Sequence, residues 1–444
     1  MNKIIEQVKK INKEYHFFNE IVEDPRKLGN GKLSGIAVSV KDCIVVKNIE
    51  SKAGSAILKN YKPVFDATII EKIKSEGGLI IGKTSQDAFG FGSFATNVGI
   101  DMKIPLNPFD KERACGGSSG GSAGITQAAD FQHISIAEST GGSIVCPASF
   151  CGVIGLCPTY GRISRYGLMD YANSLDKIGP MAKNIKDIAL IMEIIAGHDP
   201  KDSTSLNEKV PKYSSFVNKE IKGMKIGIIK EAFEKGIDKE VKENVQEAIK
   251  KLEALGAKTE EVSLPLASKY ALECYYLLAT TEASTNLAKY CGMRYGEEEK
   301  LEGNFNEYFS KVRSKYLNEE SKRRIIIGTF ARMAGQRDAF YIKAAQVRTK
   351  IIEEYKKAFK KFDALICPTM PVIAPKLSEI KELTPLQNYM MDILTVGPNL
   401  AGLPHITIPT GFKDKMPIGT MLIGDHLTEE KLIQISAKLW KFQN

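Results

Sequence analysis

The sequence predicts an α/β protein built on a large mixed β-sheet with helices over both faces. Strand-like and helix-like patterns alternate near both ends of the chain. A mainly helical stretch occupies about 266–362. Between them, eleven glycines and eight serines fall within the 52 residues from Gly116 to Gly167, broken by apolar runs that a flexible linker would lack. That block therefore reads as ordered loops between short elements, with glycine where the backbone needs positive φ or close approach.

The elements follow in order. Residues 1–34 read as a helical lead-in. Gly35-Ile36-Ala37-Val38-Ser39-Val40 is a strand ending at Lys41-Asp42, and Asp66 to Ser75 carries Ile69, Ile70 and Ile73 at helical spacing before Gly77. Leu79-Ile80-Ile81 returns as a strand. His133 to Ala137 and Ile154 to Leu156 are short apolar runs inside the glycine-rich block. Met224 to Ile229 is a strand, followed by a helix from about Lys239 that presents Val241, Val245, Ala248, Ile249 and Leu252 and stops at Gly256. Ile406 to Pro409 and Gly419 to Ile423 are the closing strands, before a final helix. No repeat divides the chain, so residues 1–444 are expected to form one domain, with 266–362 walling a pocket.

Composition narrows the class. With 43% hydrophobic and 26% charged residues the chain is neither disordered nor fibrous. No apolar run approaches the length of a membrane span, and the N-terminus interleaves charges where a signal peptide has an apolar block, so a cytoplasmic, non-membrane protein is expected. Eight cysteines without a C-x-x-C pair read as free thiols. Lys and Arg exceed Asp and Glu by 62 to 53, but the basic residues are spread along the chain and read as a solvated surface. The five histidines are isolated and show no metal-ligand spacing, so no metal site is expected, and a base for nucleophilic chemistry must come from elsewhere. Lysine fits, because burial brings its pKa towards neutrality.

Three short patterns match for the wrong reasons. Gly77 to Thr84 satisfies the phosphate-binding loop expression, yet its apolar strand lies between the glycines, where the N–H groups belong to a sheet. Gly116 to Gly120 satisfies G-x-S-x-G, but turn-like Pro108 to Cys115 precedes it where a nucleophile elbow needs a buried strand. Ser174 to Lys177 and Ser378 to Lys381 satisfy S-x-x-K without the companion motifs of penicillin-binding enzymes.

What remains is Lys41 at a strand end, then Gly116-Gly117-Ser118-Ser119-Gly120-Gly121-Ser122, then Ser139-Thr140-Gly141-Gly142-Ser143-Ile144. A serine in a Gly-Gly-Ser turn exposes its hydroxyl while neighbouring backbone N–H groups converge on one point, which suits an oxyanion formed when that hydroxyl attacks a carbonyl.

In this order, with Pro147 to Leu156 and Pro158 to Gly167 downstream, the motifs resemble the amidase signature family, from about Gly35 to the C-terminus. The pattern is most similar to the branch of A subunits of glutamyl-tRNA(Gln) or aspartyl-tRNA(Asn) amidotransferases, in an archaeal style. The resemblance implies an amidase-signature fold with Lys41 as neutral base, Ser118 as relay serine on a cis peptide and Ser143 as nucleophile. It also implies an oxyanion loop of Thr140, Gly141 and Gly142, and a glutamine pocket of Tyr275, Arg324 and Asp392. A guanidinium fork suits the α-carboxylate of glutamine and a carboxylate suits its α-ammonium group.

The implied activity is release of ammonia from glutamine for amidation of Glu-tRNA(Gln) and/or Asp-tRNA(Asn). No cofactor is implied in this chain. ATP and Mg2+ belong to a partner, the B subunit, which takes the aminoacyl-tRNA, and the pair is braced by a small C subunit. A stand-alone amidase for small or aryl amides is the alternative, and a catalytically silent scaffold a further one. Two departures stand out. Many relatives read Asp-Thr-Gly-Gly-Ser-Ile-Arg where this chain has Ser139 to Val145, so an acid and a base are both neutral here, a paired loss that orphans no charge. The lead-in before Gly35 is also shorter than in bacterial relatives.

Overall fold

A computed structural model describes residues 2–234 and 236–440. Eleven strands form one sheet: β1 (Phe18–Ile21), β2 (Ala37–Lys41), β3 (Leu79–Thr84), β4 (His133–Ser139), β5 (Ile154–Cys157), β6 (Lys177–Ala182), β7 (Lys225–Ile229), β8 (Lys258–Val262), β9 (Ala364–Pro368), β10 (His405–Lys413) and β11 (Met416–Ile423). Their order is β1-β3-β2-β4-β6-β5-β10-β11-β9-β7-β8. The sheet is mixed: β3, β2 and β4 run parallel, as do β9, β7 and β8, and antiparallel pairs join the two groups.

β2, Ala-Val-Ser-Val-Lys, is buried along its whole length, as a strand covered on both faces must be. The lead-in expected to be helical holds the helix Asn2–Tyr15 but also β1, which pairs antiparallel with β3 and closes that sheet edge. Helix-period reasoning missed a four-residue strand because so short a run carries almost no periodicity. The phosphate-loop lookalike resolves into a helix stop at Gly77 (φ +83°) followed by β3, whose backbone is in the sheet between β2 and β1.

The 266–362 stretch folds as the helices Pro265–Asn286, Phe305–Tyr316, Glu319–Arg332 and Lys343–Phe359, joined by short turns. Asn304 and Glu307 cap the second of these reciprocally. All eight cysteines are free, and no helix among the described residues is long and apolar enough to cross a membrane. His133 and His405 are buried, and burial pushes the His133 imidazole down to about 3. Its Nε2 pairs with Ser39 Oγ at 3.0 Å, and Ser39 donates on to Ser135 Oγ at 2.9 Å.

Candidate active site

Because β2 and β4 are parallel, in register from Ala37 with His133 to Val40 with Ile136, their carboxyl ends meet at one sheet edge. Lys41 ends β2, and Glu138 and Ser139 end β4. Ligand sites gather at such edges in α/β proteins. Lys41 is fully buried, with Nζ 2.7 Å from Ser118 Oγ, 2.8 Å from Glu138 Oε2 and 2.9 Å from the Glu138 carbonyl.

Ser118 sits in the glycine-rich loop between Gly116 (φ +81°) and the helix Gly120–Ala128, and the Gly117–Ser118 peptide bond is cis. Asp87 shapes this loop from below. Its backbone N–H donates to the Ser118 carbonyl at 3.1 Å, while its carboxylate accepts from the N–H groups of Ala95 (3.0 Å) and Asn97 (2.7 Å). Burial pushes Asp87 up to about 6. A Cβ on Gly117 would lie 2.2 Å from Asp87 Oδ2, so only glycine fits there.

Ser143 lies at the turn before the helix Val145–Phe150, on a loop fastened at several points. Ser139 Oγ donates to the Gly141 carbonyl at 2.9 Å, and the Asn399 amide holds both the Thr140 carbonyl and, at 3.1 Å, that of Leu175. Gly142 faces Thr395: a Cβ there would sit 2.4 Å from Thr395 Oγ1. No described residue accepts a hydrogen bond from the N–H groups of Gly141, Gly142 or Ser143, which leaves them for a ligand oxygen.

The loop is not free of buried charge. Sequence comparison at 139 and 145 sees both charges lost, and the structure corrects this: Glu138, one residue earlier, supplies a carboxylate, and Lys41 pairs with it. Thr140 Oγ1 stands 2.9 Å from Glu138 Oε1 and 2.8 Å from Asp176 Oδ1. One hydroxyl proton cannot serve two carboxylates, so one carboxyl carries a proton of its own. Burial, and then the charge of Glu138, push Asp176 well above the usual carboxylate range, which places that proton on Asp176.

The remaining expected residues form an adjoining aromatic pocket. Tyr275, on the helix Pro265–Asn286, packs against the nucleophile loop, where a Cβ on Gly141 would lie 2.9 Å from its ring. Its neighbour Tyr276 makes the polar contact instead, donating to Asp392 Oδ2 at 2.7 Å while Ser93 donates to Oδ1 at 2.9 Å. Burial raises Asp392 against these hydrogen bonds. Arg324, on the helix Glu319–Arg332, donates from Nε to Glu320 at 2.7 Å and from Nη1 to Tyr171 at 2.8 Å. It lies over the rings of Phe91, Tyr276 and Tyr389 at 5.2–5.3 Å, and no described residue accepts a hydrogen bond from its Nη2. A cleft of about 480 Å³ opens from Arg324 past Ser93, Glu320 and Tyr389.

The structure thus brings Lys41 directly onto Ser118, and Tyr275 onto the Ser143 loop. It links Arg324 to Asp392 through Tyr276. Sequence reasoning missed Glu138, Asp176, Tyr276, Ser93 and Asp87. Glu138 carried a signal, a carboxylate next to the motif. The others are polar residues far apart in sequence and carried none. Among the described residues no group of three or more His, Cys, Asp or Glu could hold a metal ion.

Comparison with known proteins agrees with this geometry. The model of the Amidase family matches residues 3–433. The A subunit of glutamyl-tRNA(Gln) amidotransferase from Sulfurihydrogenibium sp. (strain YO3AOP1) is 46% identical over 413 residues, 93% of this chain and 83% of that protein. The protein of the same name from Methanococcoides burtonii is 45% identical over 404 residues, 91% of this chain and 84% of that one. The crystal structure of the glutamyl-tRNA(Gln) amidotransferase A subunit from Thermotoga maritima superposes with a TM-score of 0.83 at 38% identity, covering 98% of this chain and 90% of that one. With the family model spanning nearly all of its length, the chain belongs to the amidase family.

Proposed function

We propose that this chain is the glutaminase subunit of a tRNA-dependent amidotransferase. The observation that carries the chemistry is the buried Lys41–Ser118 contact beside a Ser143 loop whose N–H groups have no protein acceptor. The names of relatives 45% and 46% identical point to the same substrate.

In this reading Ser143 Oγ attacks the side-chain amide carbon of glutamine, and its proton passes through Ser118 to Lys41. The carbonyl oxygen becomes an oxyanion held by the N–H groups of the 140–143 loop. Collapse expels the amide nitrogen, which takes a proton back through Ser118 and leaves as ammonia. Water then cleaves the γ-glutamyl ester, giving glutamate and restoring Ser143. Arg324 Nη2 meets the α-carboxylate and Asp392 the α-ammonium group, with Tyr275 closing the pocket over the loop.

Ammonia passes to a B subunit, which activates the aminoacyl-tRNA with ATP and Mg2+, and the assembly is braced by a C subunit. The test measures ammonia release from glutamine by the chain alone and with the B and C subunits, then transfer onto Glu-tRNA(Gln) and Asp-tRNA(Asn). A chain that hydrolyses small amides but not glutamine, with or without the partners, would be the stand-alone amidase instead.

A further inference from the structure

Two of the three polar neighbours of the Lys41 nitrogen come from one residue. These are the Glu138 carbonyl at 2.9 Å and Glu138 Oε2 at 2.8 Å; the third is Ser118 Oγ at 2.7 Å. An ammonium group fills all three positions with its three protons. A neutral amine has two N–H groups and one lone pair. A carbonyl and a carboxylate oxygen only accept, so both N–H groups are committed to Glu138 and the lone pair is left facing Ser118, the one neighbour with a proton to give.

We propose that Glu138 is a positioning residue that aims the Lys41 lone pair at Ser118 and, through its charge, sets the pH at which that lone pair becomes free. This rests on the reading of Lys41 as the base. It concerns a carboxylate that the serine and lysine motifs do not contain.

The surroundings keep Glu138 anionic and still. Its Oε1 accepts from Thr140, whose hydroxyl oxygen in turn lies 2.8 Å from Asp176 Oδ1. Asp176 Oδ2 accepts the N–H groups of Tyr171 and Ala172 at 2.9 and 3.0 Å, so Oδ1 is the oxygen left to carry the Asp176 proton. The proton sequence Asp176 to Thr140 to Glu138 therefore ends on the carboxylate that faces Lys41.

The other titratable groups around Lys41 are the buried Cys43 thiol, pushed far up by burial, and Asp87 beyond β3. Lys83 on β3 is held at 2.7 Å by Ser51 and at 3.2 Å by the Asp42 carbonyl. None of these is within hydrogen-bond distance of Lys41 Nζ, so Glu138 is the carboxylate that acts on it directly. Its negative charge favours the ammonium form of Lys41, while its geometry favours productive aim once the proton leaves.

The experiment measures kcat and KM against pH for the full chain, with glutamine and with a short primary amide, in wild type, Glu138→Gln, Glu138→Ala and Lys41→Ala. Glu138→Gln keeps an oxygen acceptor and removes the charge, so the acid limb of kcat/KM is expected to move down by about one pH unit or more. Glu138→Ala removes the aim, so kcat should fall by about ten- to a hundredfold with KM nearly unchanged, since Glu138 touches no substrate. A purely structural role would lower melting temperature without moving the acid limb.

An unmoved limb in folded Glu138→Gln, with Lys41→Ala inactive, would overturn the proposal. If Glu138→Ala does not fold, the Gln variant still decides. Activity retained in Lys41→Ala would overturn the base reading and Glu138 with it. Wild-type hydrolysis of the short amide but not of glutamine would defeat only the glutaminase reading, and the Glu138 comparison would then be read on the short amide.

Discussion

The Tyr276 hydroxyl donates to Asp392 Oδ2 at 2.7 Å, so the carboxylate proposed to meet the α-ammonium group of glutamine is held from the helix Pro265–Asn286. The same helix presents the Tyr275 ring to Gly141 of the nucleophile loop. One helix thereby ties the recognition end of the pocket to the reacting end.

From this follows a recognition prediction. Arg324→Lys keeps the charge but loses the planar fork, and Asp392→Asn loses the charge that would face the α-ammonium group. Each should cost glutamine about 1–3 kcal/mol in kcat/KM. A short amide lacking both α groups should be nearly unaffected. Tyr276→Phe should fall on the same side, with a smaller loss. Measuring kcat/KM for both substrates checks this, and equal losses on both would remove Arg324 and Asp392 from glutamine recognition.

Nucleophile loss is the sharpest test of the serine assignment. Ser143→Ala should lower hydrolysis by about 10⁶, the scale seen when a serine hydrolase loses its nucleophile. Thermal melting should stay unchanged, because no described residue hydrogen-bonds to the Ser143 hydroxyl. γ-Glutamyl hydroxamate formation, followed with hydroxylamine, gives the readout.

At position 41 basicity and charge separate cleanly. Lys41→Arg keeps a cation in a fully buried site, but a guanidinium does not deprotonate at working pH. The Arg variant should be nearly as inactive as Lys41→Ala. Substantial turnover by the Arg variant would mean that the site needs charge alone.

Loop position is tested at Gly142. Gly142→Ala would place a Cβ 2.4 Å from Thr395 Oγ1, and the backbone beside Ser143 must shift to relieve it. A displacement of that size should lower kcat by about a hundredfold. Pairing it with Thr395→Gly, which removes the opposing side chain, should recover part of the rate. Steady-state kinetics of the single and double variants check the coupling.

Acid stability should follow the buried histidines. Burial lowers the folded-state pKa of His133 from 6.5 to about 3, so between those values the unfolded chain binds more protons than the folded one. Its contribution is present above about pH 6.5 and is lost as pH falls, at up to about 1.4 kcal/mol per pH unit. Urea unfolding at pH 7.5 and pH 5 should show a loss of about 2 kcal/mol from this residue. His133→Gln should lack that part of the loss, while the part due to His405, also held below its usual value by burial, remains.

Much of this protein is local and therefore legible in the amino-acid order. The strand ending at Lys41, the helix stopping at Gly77 and the apolar face of Lys239–Ala254 each depend on residues within a turn or two of one another. The family motifs around Ser118 and Ser143 are continuous, so they too are readable. β1 was not legible, because four residues become a strand only when β3 lies beside them.

The site itself is different in kind. Lys41 and Glu138 are 97 residues apart, and they meet because β2 and β4 are parallel and in register, a pairing that no local pattern encodes. Glu138 was visible as a residue beside a motif, but its role as partner of the base depends on that register. Tyr276, Ser93 and Asp392 converge from three separate segments, and which of two adjacent tyrosines reaches Asp392 is decided by the rotation of one helix against the sheet edge. The order of amino acids determined the elements and the chemical groups available. The long-range strand register and helix packing, which alone set distances between groups far apart in the chain, decided which of those groups act together.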